Sequence, residues 1–427
     1  MKLEIGNIEI SDIQFGNECK IEGSTLYVST EALKELILAD TRIASVDFDI
    51  ARPGESVRIA PVKDVIEPRT KVGSDDVGIF PGVISKVKTV GSGRTHVLKG
   101  AAVVTCGQIV GFQEGIIDMT GPGAAYTPFS ATNNLVLIFK PKADLPPHDY
   151  EQALRLAGLK TAAALGDLAK NLTPNNIETY ETYGFMTAKE KFPNLPRVGY
   201  VQMLQTQGLL HDTYVYGVDM KNSLTTLINP TEIFDGAIIS GNCVSACDKN
   251  TTYHHQNNPV IKDLFEEHGK SLVFAAMIIT NENVYLMDKE RSSDFSAKFA
   301  QMLELDGVII TQEGFGNPDT DLMMNCKKIE AVGVPTVIVT DEYAGRDGMS
   351  QSLADVDAAA DAVVTGGNAN EVVTLPKLDK VIGSLAEVDV IAGGFENNTL
   401  ADGSIVVELQ AIIGATNEMG FNKMSAR

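Results

Sequence analysis

The chain has 427 residues, of which 44% are hydrophobic, so it can bury a large core and form two domains or more. Its formal net charge of −21 argues against nucleic acid or an anionic membrane as a partner, because both repel an acidic surface. The start, MKLEIGNIEI, is charged where a signal peptide would be apolar. Five scattered cysteines do not form a disulfide pattern, so we expect a cytoplasmic protein.

The first part of the chain is predicted to be rich in β-strands. From residue 51 to 139, short runs of Val and Ile lie between Gly and Pro turn signals, which is typical of a compact β-rich unit. Helical spacing of apolar residues predicts one early helix over Glu31–Leu38. The clearest strands are predicted at Leu3–Ile10, Thr25–Val28, Val103–Cys106 and Leu135–Phe139.

A longer helix is predicted at about residues 150–170, where Leu154, Ala157 and Leu165 share one face. Residues 171–196 are polar and contain three prolines, which indicates a linker or a surface excursion. We therefore predict a β-rich amino-terminal domain over residues 1–195 and an α/β domain over residues 196–427.

Beyond residue 196, apolar strands alternate with helices. Strands are predicted at Val198–Leu204, Ala237–Ser240, Leu272–Thr280, Val308–Thr311, Thr336–Thr340 and Ala362–Thr365. Helices are predicted from Asn258, from about Ser292, over Asn317–Gly333, and between Thr340 and Ala362. This alternation is typical of an open parallel sheet. The predicted fold class is α/β, with a β-rich amino-terminal region followed by an open, mostly parallel sheet with flanking helices.

Three of these strands end in related sequences, IITNE, IITQE and IVTDE, which place Glu282, Glu313 and Glu342 just beyond them. Ligands bind outside the carboxyl ends of strands in open α/β sheets. Three carboxylates gathered there could hold the ammonium group of a substrate, or a metal ion. The alternative is that each glutamate caps the helix that follows, where an acidic group is favourable in any case.

Gly91-Ser92-Gly93-Arg94 is a second candidate binding element. Its backbone amides could hold an anion, and Arg94 could bind a substrate carboxylate through two hydrogen bonds. A plain glycine turn is the alternative. No GxGxxG motif opens a helix here, so a dinucleotide site is not predicted.

The Asn242-Cys243 bond, which follows an apolar run ending at Ser240-Gly241, is the third candidate. Glycine can take backbone conformations closed to other residues, so a strained turn can form before Cys243. The thiol could then attack the preceding carbonyl and take over the acyl chain. Loss of the Cys243 α-proton would expel a thiocarboxylate, and hydrolysis would leave ammonia and a pyruvoyl group. Asn242 or nearby backbone N–H groups could hold the oxyanion.

His254 and His255 could supply the base that removes this α-proton, because neutral imidazole accepts a proton near pH 7. The alternative is that both are ordinary hydrogen-bonded histidines. Together with Cys243 and Cys247 they do not match a zinc-finger or zinc-ribbon spacing, so no metal site is predicted.

Long blocks of the sequence resemble one known family. They are ARPGESVRIAPVKDVIEPR (51–69), KTVGSGRTH (88–96), CGQIVGFQEGIIDM (106–119), LQTQGLLHDTYVYGVD (204–219), ISGNCVSACDKN (239–250) and TVIVTDEYAGRDG (336–348). In wording and order these blocks resemble the proprotein subunit of component B of the glycine, sarcosine and betaine reductases. In that family the precursor is cut before a cysteine that becomes a pyruvoyl group, and the matching residue here is Cys243.

The resemblance implies an oxidoreductase subunit that is inactive alone and takes glycine, or alternatively sarcosine or betaine, as its substrate. It implies reductive C–N cleavage by a selenocysteine on a partner subunit of component B. It also implies transfer to a small selenoprotein A, release as acetyl phosphate from component C, and electrons from a thioredoxin system. This chain contains no selenocysteine.

Two hypotheses of other classes stay open at this point. The chain could be an uncleaved subunit that binds an amino acid or acts as a scaffold. It could also be a metal-dependent α/β enzyme that uses Glu282, Glu313 and Glu342. The sequence does not decide among the three amines, although a quaternary amine cannot condense with a pyruvoyl carbonyl as a primary amine can.

Overall fold

The structure, a computed structural model, describes residues 1–73, 76–111, 113–208, 210–241, 245–421 and 424–426. The predicted cleavage bond between Asn242 and Cys243 lies outside the described residues. Among the helices described, none combines the length and the apolar character needed to cross a bilayer.

The amino-terminal half forms three small sheets and three α-helices. Its strands are β1 (Lys2–Glu9), β2 (Asp12–Phe15), β3 (Lys20–Glu22), β4 (Thr25–Val28), β5 (Ile43–Ala51), β6 (Val57–Ile66), β7 (Arg69–Val72), β8 (Gly93–Lys99), β9 (Ala101–Cys106), β10 (Gly115–Asp118), β11 (Asn133–Pro141) and β12 (Asn176–Glu181). Its helices are α1 (Thr30–Leu38), α2 (Pro147–Asp167) and α3 (Phe185–Lys191). The strands pair in the orders β12-β1-β8-β7, β10-β6-β9-β11-β5 and β2-β4-β3.

The predicted β-rich character of this half is confirmed, and so is the helix near residues 150–170. All six residues of β9 are buried, as expected for a strand in the middle of its sheet that is covered on both faces. Helix α2 covers one of these faces, with Leu154 and Ala157 in the same core cluster as Val103 and Leu135.

The interpretation of residues 171–196 as a linker is wrong. β12 pairs antiparallel with β1, with Tyr180 opposite Leu3, and α3 follows. β12 is an edge strand, so most of its side chains are exposed and polar, while Tyr180 is buried against Phe234 and Phe265. An edge strand with one buried aromatic residue is hard to tell from a polar loop by composition.

The carboxyl-terminal half has one large sheet. Its strands are β13 (Arg197–Leu204), β14 (Tyr214–Val215), β15 (Val218–Asp219), β16 (Thr226–Ile228), β17 (Ile238–Ile239), β18 (Val273–Asn281), β19 (Gly307–Thr311), β20 (Thr336–Glu342), β21 (Val363–Asn368), β22 (Val372–Leu375), β23 (Lys380–Gly383), β24 (Ile405–Glu408) and β25 (Ser425–Ala426). Its helices are α4 (Pro230–Phe234), α5 (Thr252–Gln256), α6 (Pro259–Glu267), α7 (Leu286–Met302) and α8 (Asn317–Ala331).

The large sheet has the order β16-β18-β13-β19-β20-β21-β25. Its five inner strands are parallel, and the two edge strands β16 and β25 are antiparallel. This confirms the predicted open, mostly parallel sheet and the α/β fold class. Because the inner strands run the same way, their carboxyl ends lie at one edge of the sheet, where Glu282 and Glu313 follow β18 and β19.

Two helix predictions in this half are wrong in detail. Helix α7 begins at Leu286 rather than near Ser292. The segment from residue 343 to 362 contains no helix, although all of it is described. Side chains from neighbouring elements hold its backbone instead: Asn368 accepts from the Ala344 amide and Asp319 from the Ala354 amide.

The domain boundary at residue 195 stays a prediction. Strand pairing also joins the two halves, because β23 of the carboxyl-terminal half pairs in parallel with β6 of the amino-terminal half. The buried Arg69 also donates to the carbonyl oxygens of Phe234 and Gln256.

Candidate functional site

The segment before the predicted cleavage bond is tightly packed. β17 ends at Ile239, and the amide of the buried Ser240 donates to Thr252 Oγ1 at 3.2 Å. Thr252 in turn donates from its hydroxyl and its amide to the two carboxylate oxygens of Asp64, at 2.8 and 2.9 Å. The end of β17 is therefore held to the first turn of α5 and to the amino-terminal half.

Gly241 is required for a different reason from the one predicted. Its backbone is not in the left-handed region. A Cβ built on it would overlap the carbonyl oxygen of Asp212, so only glycine lets the two backbones approach this closely. The predicted roles of Asn242 and Cys243 fall on residues outside those described.

His254 is completely buried and packs between Phe129 and Phe421, with ring centroids 5.1 and 4.4 Å away. Its Nδ1 lies 3.1 Å from both the amide and the hydroxyl of Thr251 at the start of α5. Burial, together with the neighbouring His255, lowers the pKa of His254 to about 3. The ring is therefore neutral near pH 7, but it is a weak base.

His255 is also completely buried, and it contacts one of the predicted strand-end glutamates. Its Nε2 lies 3.0 Å from Glu313 Oε1, and its Nδ1 lies 3.4 Å from Gln202 Nε2 on the central strand β13. The other oxygen of Glu313 accepts from the Gln205 amide at 2.7 Å and from the Thr213 hydroxyl at 2.6 Å. A carboxylate held in this way fixes the orientation of the imidazole.

Glu282 lies beside Glu313, as the repeat predicts. Its Oε1 accepts from the Glu313 amide at 2.7 Å, whereas its Oε2 has no hydrogen-bond partner within the described chain. Burial raises the pKa of Glu282 well above its ordinary value, and the nearby Glu313 and Asp321 add to this. The structure thus brings His255, Glu313 and Glu282 together.

Glu418 is a buried glutamate of the same region that the sequence motifs did not indicate. Asn250 donates to its Oε1, and Asn417 donates to Asn250 Oδ1 at 2.8 Å. Its Oε2 has no partner among the described residues. Burial raises the pKa of Glu418 well above its ordinary value, and Asp248 adds to this effect.

A second acidic group adjoins Glu418. Asp248 accepts from the Cys247 thiol at 2.9 Å and from the Tyr343 hydroxyl at 2.9 Å, while Asp341 accepts from Thr416 at 2.8 Å. Ligand atoms of Cys247, Asp248 and Asp341 lie within 4.8 Å of one another. Burial and the charge of Asp248 raise the pKa of Asp341 well above its ordinary value. A negative charge on one of these two carboxyl groups thus disfavours ionisation of the other.

Glu342 and Arg94 lie apart from this assembly. Glu342 accepts from the hydroxyls of Ser352 and Thr365, at 2.8 and 2.9 Å. Arg94 is 40% exposed on β8 and forms an ion pair with Glu4, which holds the pKa of Glu4 below its ordinary value. Neither residue contacts Glu282, Glu313 or His255 through a hydrogen bond or an ion pair that the described residues make.

A cavity of about 210 Å³ lies elsewhere, in the amino-terminal sheet beneath the segment that follows β23. It is lined mainly by apolar groups, among them Cys106, Phe139 and Val388, and by none of the predicted site residues. We place the candidate site at the acidic strand ends, because the predicted site residues gather there and the cavity lining, which includes Lys140 and Glu387, contains none of them.

Comparison with known proteins decides the family. The sequence model of the family of glycine/sarcosine/betaine reductase component B subunits matches residues 1–427. The chain belongs to this family. It is therefore a subunit of a reductase, as the resemblance implied.

Several relatives of this component B chain match along their whole length. Glycine reductase complex component B subunits alpha and beta of Acetoanaerobium sticklandii is 65% identical over 429 residues, covering 100% of each chain. The protein of the same description from Peptoclostridium acidaminophilum is 62% identical, again over 100% of each. Sarcosine reductase complex component B subunit alpha of that organism is 54% identical over 100% of each. No solved structure matches the chain.

Sequence reasoning missed four residues of this component B site: Gln202, Asp248, Asp341 and Glu418. Asp341 directly precedes Glu342 in the strand-end repeat, so the motif pointed to the neighbouring residue. Glu418 lies in a segment that contains no recognisable motif. This segment follows β24 and runs back to the carboxyl ends of the strands of the large sheet. Only the position of Asp248, just after the predicted cleavage bond, offered a signal.

Proposed function

We propose that this chain is the precursor of the pyruvoyl-containing, substrate-binding subunit of a glycine reductase, formed by self-cleavage between Asn242 and Cys243. The observation that carries the proposal is the packing of residue 241. Its backbone lies against Asp212 with no room for a side chain, directly before an Asn-Cys bond in a chain of the component B family. Such packing restricts the preceding segment, and a restricted geometry favours attack by a neighbouring thiol.

In the proposed reaction the Cys243 thiol attacks the carbonyl carbon of Asn242, the C–N bond breaks and a thioester forms. Removal of the Cys243 α-proton then expels the thiocarboxylate of residue 242 and leaves dehydroalanine. Tautomerisation and hydrolysis release ammonia and leave the pyruvoyl group on residue 243. Asn242 or nearby amides hold the oxyanion in this proposal.

We assign the base in this reaction to His255. Its Nε2 faces Glu313 and its Nδ1 faces Gln202 Nε2, so the ring is held in one orientation. His254, whose pKa is lowered to about 3, is a poor base and supports α5 through Thr251. Of the predicted substrate residues we retain Glu282 and Glu313, and we leave out Glu342 and Arg94 because both have other partners.

The pyruvoyl carbonyl would supply an electrophile and an electron sink for the substrate amine. The reductive step needs a selenocysteine, which this chain lacks, so we propose a selenocysteine-containing partner subunit. Small selenoprotein A, acetyl-phosphate-forming component C and a thioredoxin system complete the proposal. The higher identity to the two relatives named for glycine than to the one named for sarcosine favours glycine. Cys19, Cys106, Cys247 and Cys326 are free thiols, which suits a reducing cytoplasm.

The test is the intact mass of the chain, purified without oxygen under reducing conditions, beside a Cys243→Ala variant. We expect two fragments, residues 1–242 and residues 243–427, with the second blocked to Edman sequencing and reactive to a carbonyl reagent. The variant should keep the full mass of 45.8 kDa. A single full-length mass for the unmodified chain, even with its partner subunits present, would contradict the proposal and favour an uncleaved binding subunit.

A further inference from the structure

Four carboxyl groups at the site are buried without a cationic partner. Glu282, Asp248, Asp341 and Glu418 are each at most 2% exposed. No lysine, arginine or histidine in the described ranges forms an ion pair with any of them, in contrast to Glu313, which faces His255. Burying a carboxylate without a counter-charge is costly, so such groups are either protonated or bind a cation.

Oε2 of Glu282, Oε2 of Glu418 and Oε1 of Gln202 have no hydrogen-bond donor from the described chain, and Asn281 Oδ1 and Gln312 Oε1, next to Glu282 and Glu313 in the sequence, also lack one. The residues of the first three atoms belong to one contiguous set. Glu282 contacts Glu313, Glu313 contacts His255, and His255 contacts Gln202. Gln202 contacts Met419, the neighbour of Glu418.

When the two glutamates are ionised, all three atoms are acceptors, and no buried donor of this set lacks a partner except His255 Nε2, which already faces Glu313. Buried acceptors without donors are rare in folded proteins and call for an explanation. A ligand that brings both positive charge and several N–H groups would satisfy them together. An ammonium group has three N–H donors and one positive charge.

We propose that Glu282, Glu418 and Gln202 form a subsite for the ammonium group of the amino-acid substrate and that this subsite recognises its N–H hydrogens. The inference rests on the proposed function and deepens it by naming the groups that recognise the substrate amine. A primary or secondary amine supplies the missing donors. A quaternary amine such as betaine has none, so it leaves the same three oxygens unsatisfied.

Binding at this subsite should release protons. Glu282 is surrounded by Glu313, Asp321 and Glu418, and Asp321 is paired with Lys289. Around Glu418 lie Asp248, Asp341 and Glu313. Burial and these neighbours raise the pKa of Glu282 and Glu418, which favours their protonated forms when no cation is bound. An ammonium group favours the carboxylate form, and the proton leaves.

The experiment is calorimetric titration of the full chain, and of its Cys243→Ala variant, with glycine, sarcosine, betaine and acetate. Running it in two buffers that differ in ionisation enthalpy reports the protons released. We expect glycine and sarcosine to bind with proton release, and betaine and acetate to bind at least about tenfold more weakly. E282Q and E418Q should each weaken glycine binding about tenfold or more and reduce the proton release.

E342Q is the matched control, because Glu342 is a buried strand-end glutamate with its own hydroxyl donors. It should change glycine binding less than twofold. Equal binding of glycine and betaine would overturn the inference. So would glycine binding unchanged in E282Q and E418Q, binding of Mg²⁺ or Zn²⁺ but not glycine, or no glycine binding at all.

Should a Gln variant fail to fold, proton release on the unmodified chain still decides, because glycine binding without it contradicts the proposed subsite. Titration of the Cys243→Ala variant separates this inference from the proposed function. That variant cannot form the pyruvoyl group by the proposed route, yet its ammonium subsite is intact.

Discussion

Three glutamates that look equivalent in the strand-end repeat have different surroundings in the fold. Glu342 accepts from two hydroxyls, and Glu313 accepts from an amide and a hydroxyl and faces His255. One oxygen of Glu282 has no partner among the residues that the structure describes. Burial disfavours the charged form of a carboxyl group that lacks hydrogen-bond donors or a counter-charge. Equivalent sequence positions thus have unequal hydrogen-bonding surroundings.

At this scale we predict that Glu282→Gln stabilises the ligand-free chain at pH 8 and changes its stability little at pH 4.5. The pKa of Glu282 is raised well above 4.5 in the fold. The stabilisation that this shift gives the folded chain is therefore fully present below the pKa that Glu282 has in the unfolded chain. That stabilisation is lost as the pH rises towards the folded pKa, because only the unfolded chain can then ionise freely. Glutamine has no proton to lose.

Thermal unfolding at both pH values, without amine present, checks this prediction. Glu266→Gln is the control, since Glu266 is exposed on α6 and should shift Tm equally little at each pH. A lower Tm for Glu282→Gln at pH 8 than for the unmodified chain would contradict the prediction.

The packing of Ser240 and Gly241, just after β17, shows how one element positions another. Thr252 links the Ser240 amide to Asp64, so β17, α5 and β6 are held together immediately before the predicted cleavage bond. Gly241 completes this arrangement by letting the chain pass against Asp212. The sequence alone indicated a glycine turn here but not its cause.

We predict that Gly241→Ala abolishes fragment formation and lowers stability by about 1–3 kcal/mol, because the added Cβ forces the strand end away from Asp212. Chain integrity by mass and unfolding in urea are the two measurements. Gly184→Ala is the matched control: no atom lies within 4 Å of its added Cβ, and it should be processed normally. Normal processing of Gly241→Ala would show that the close approach is not needed.

For the molecule as a whole, the predicted cleavage bond divides one sheet between two fragments. β13 and β16 precede the bond, while β18, β19, β20 and β21 follow it. β13 lies between β18 and β19, paired with both in parallel register. Separating the fragments would expose the buried residues of β13, including Tyr200, Val201 and Met203.

We therefore predict that the two fragments stay together after cleavage. Light scattering under native conditions should give the cleaved protein, with its two fragments bound together, the same mass as the uncleaved Cys243→Ala variant. Denaturing electrophoresis of the cleaved protein should give two bands. The fragments should separate only in denaturant, where the sheet is lost. Elution of two separate species from a sizing column without denaturant would rule this out.

The α/β class, most strands and helices, the family resemblance and the Asn242-Cys243 motif can be read from the sequence, because these depend on local periodicity and on contiguous residues. The sequence also placed Glu282 and Glu313 at the carboxyl ends of parallel strands. It misjudged β12 and the segment after β20, where neighbouring elements rather than local preference hold the backbone.

The groups that form the candidate site are defined by the fold. Gln202, His255, Glu313 and Glu418 come from four separate segments, and their contacts depend on strand order and on the return of the chain after β24. The fold also separated Glu342 and Arg94 from that set by giving each its own partners. The physical reason is burial: a carboxyl group shifts its pKa and binds a cation according to what surrounds it in space, which sequence neighbours do not specify.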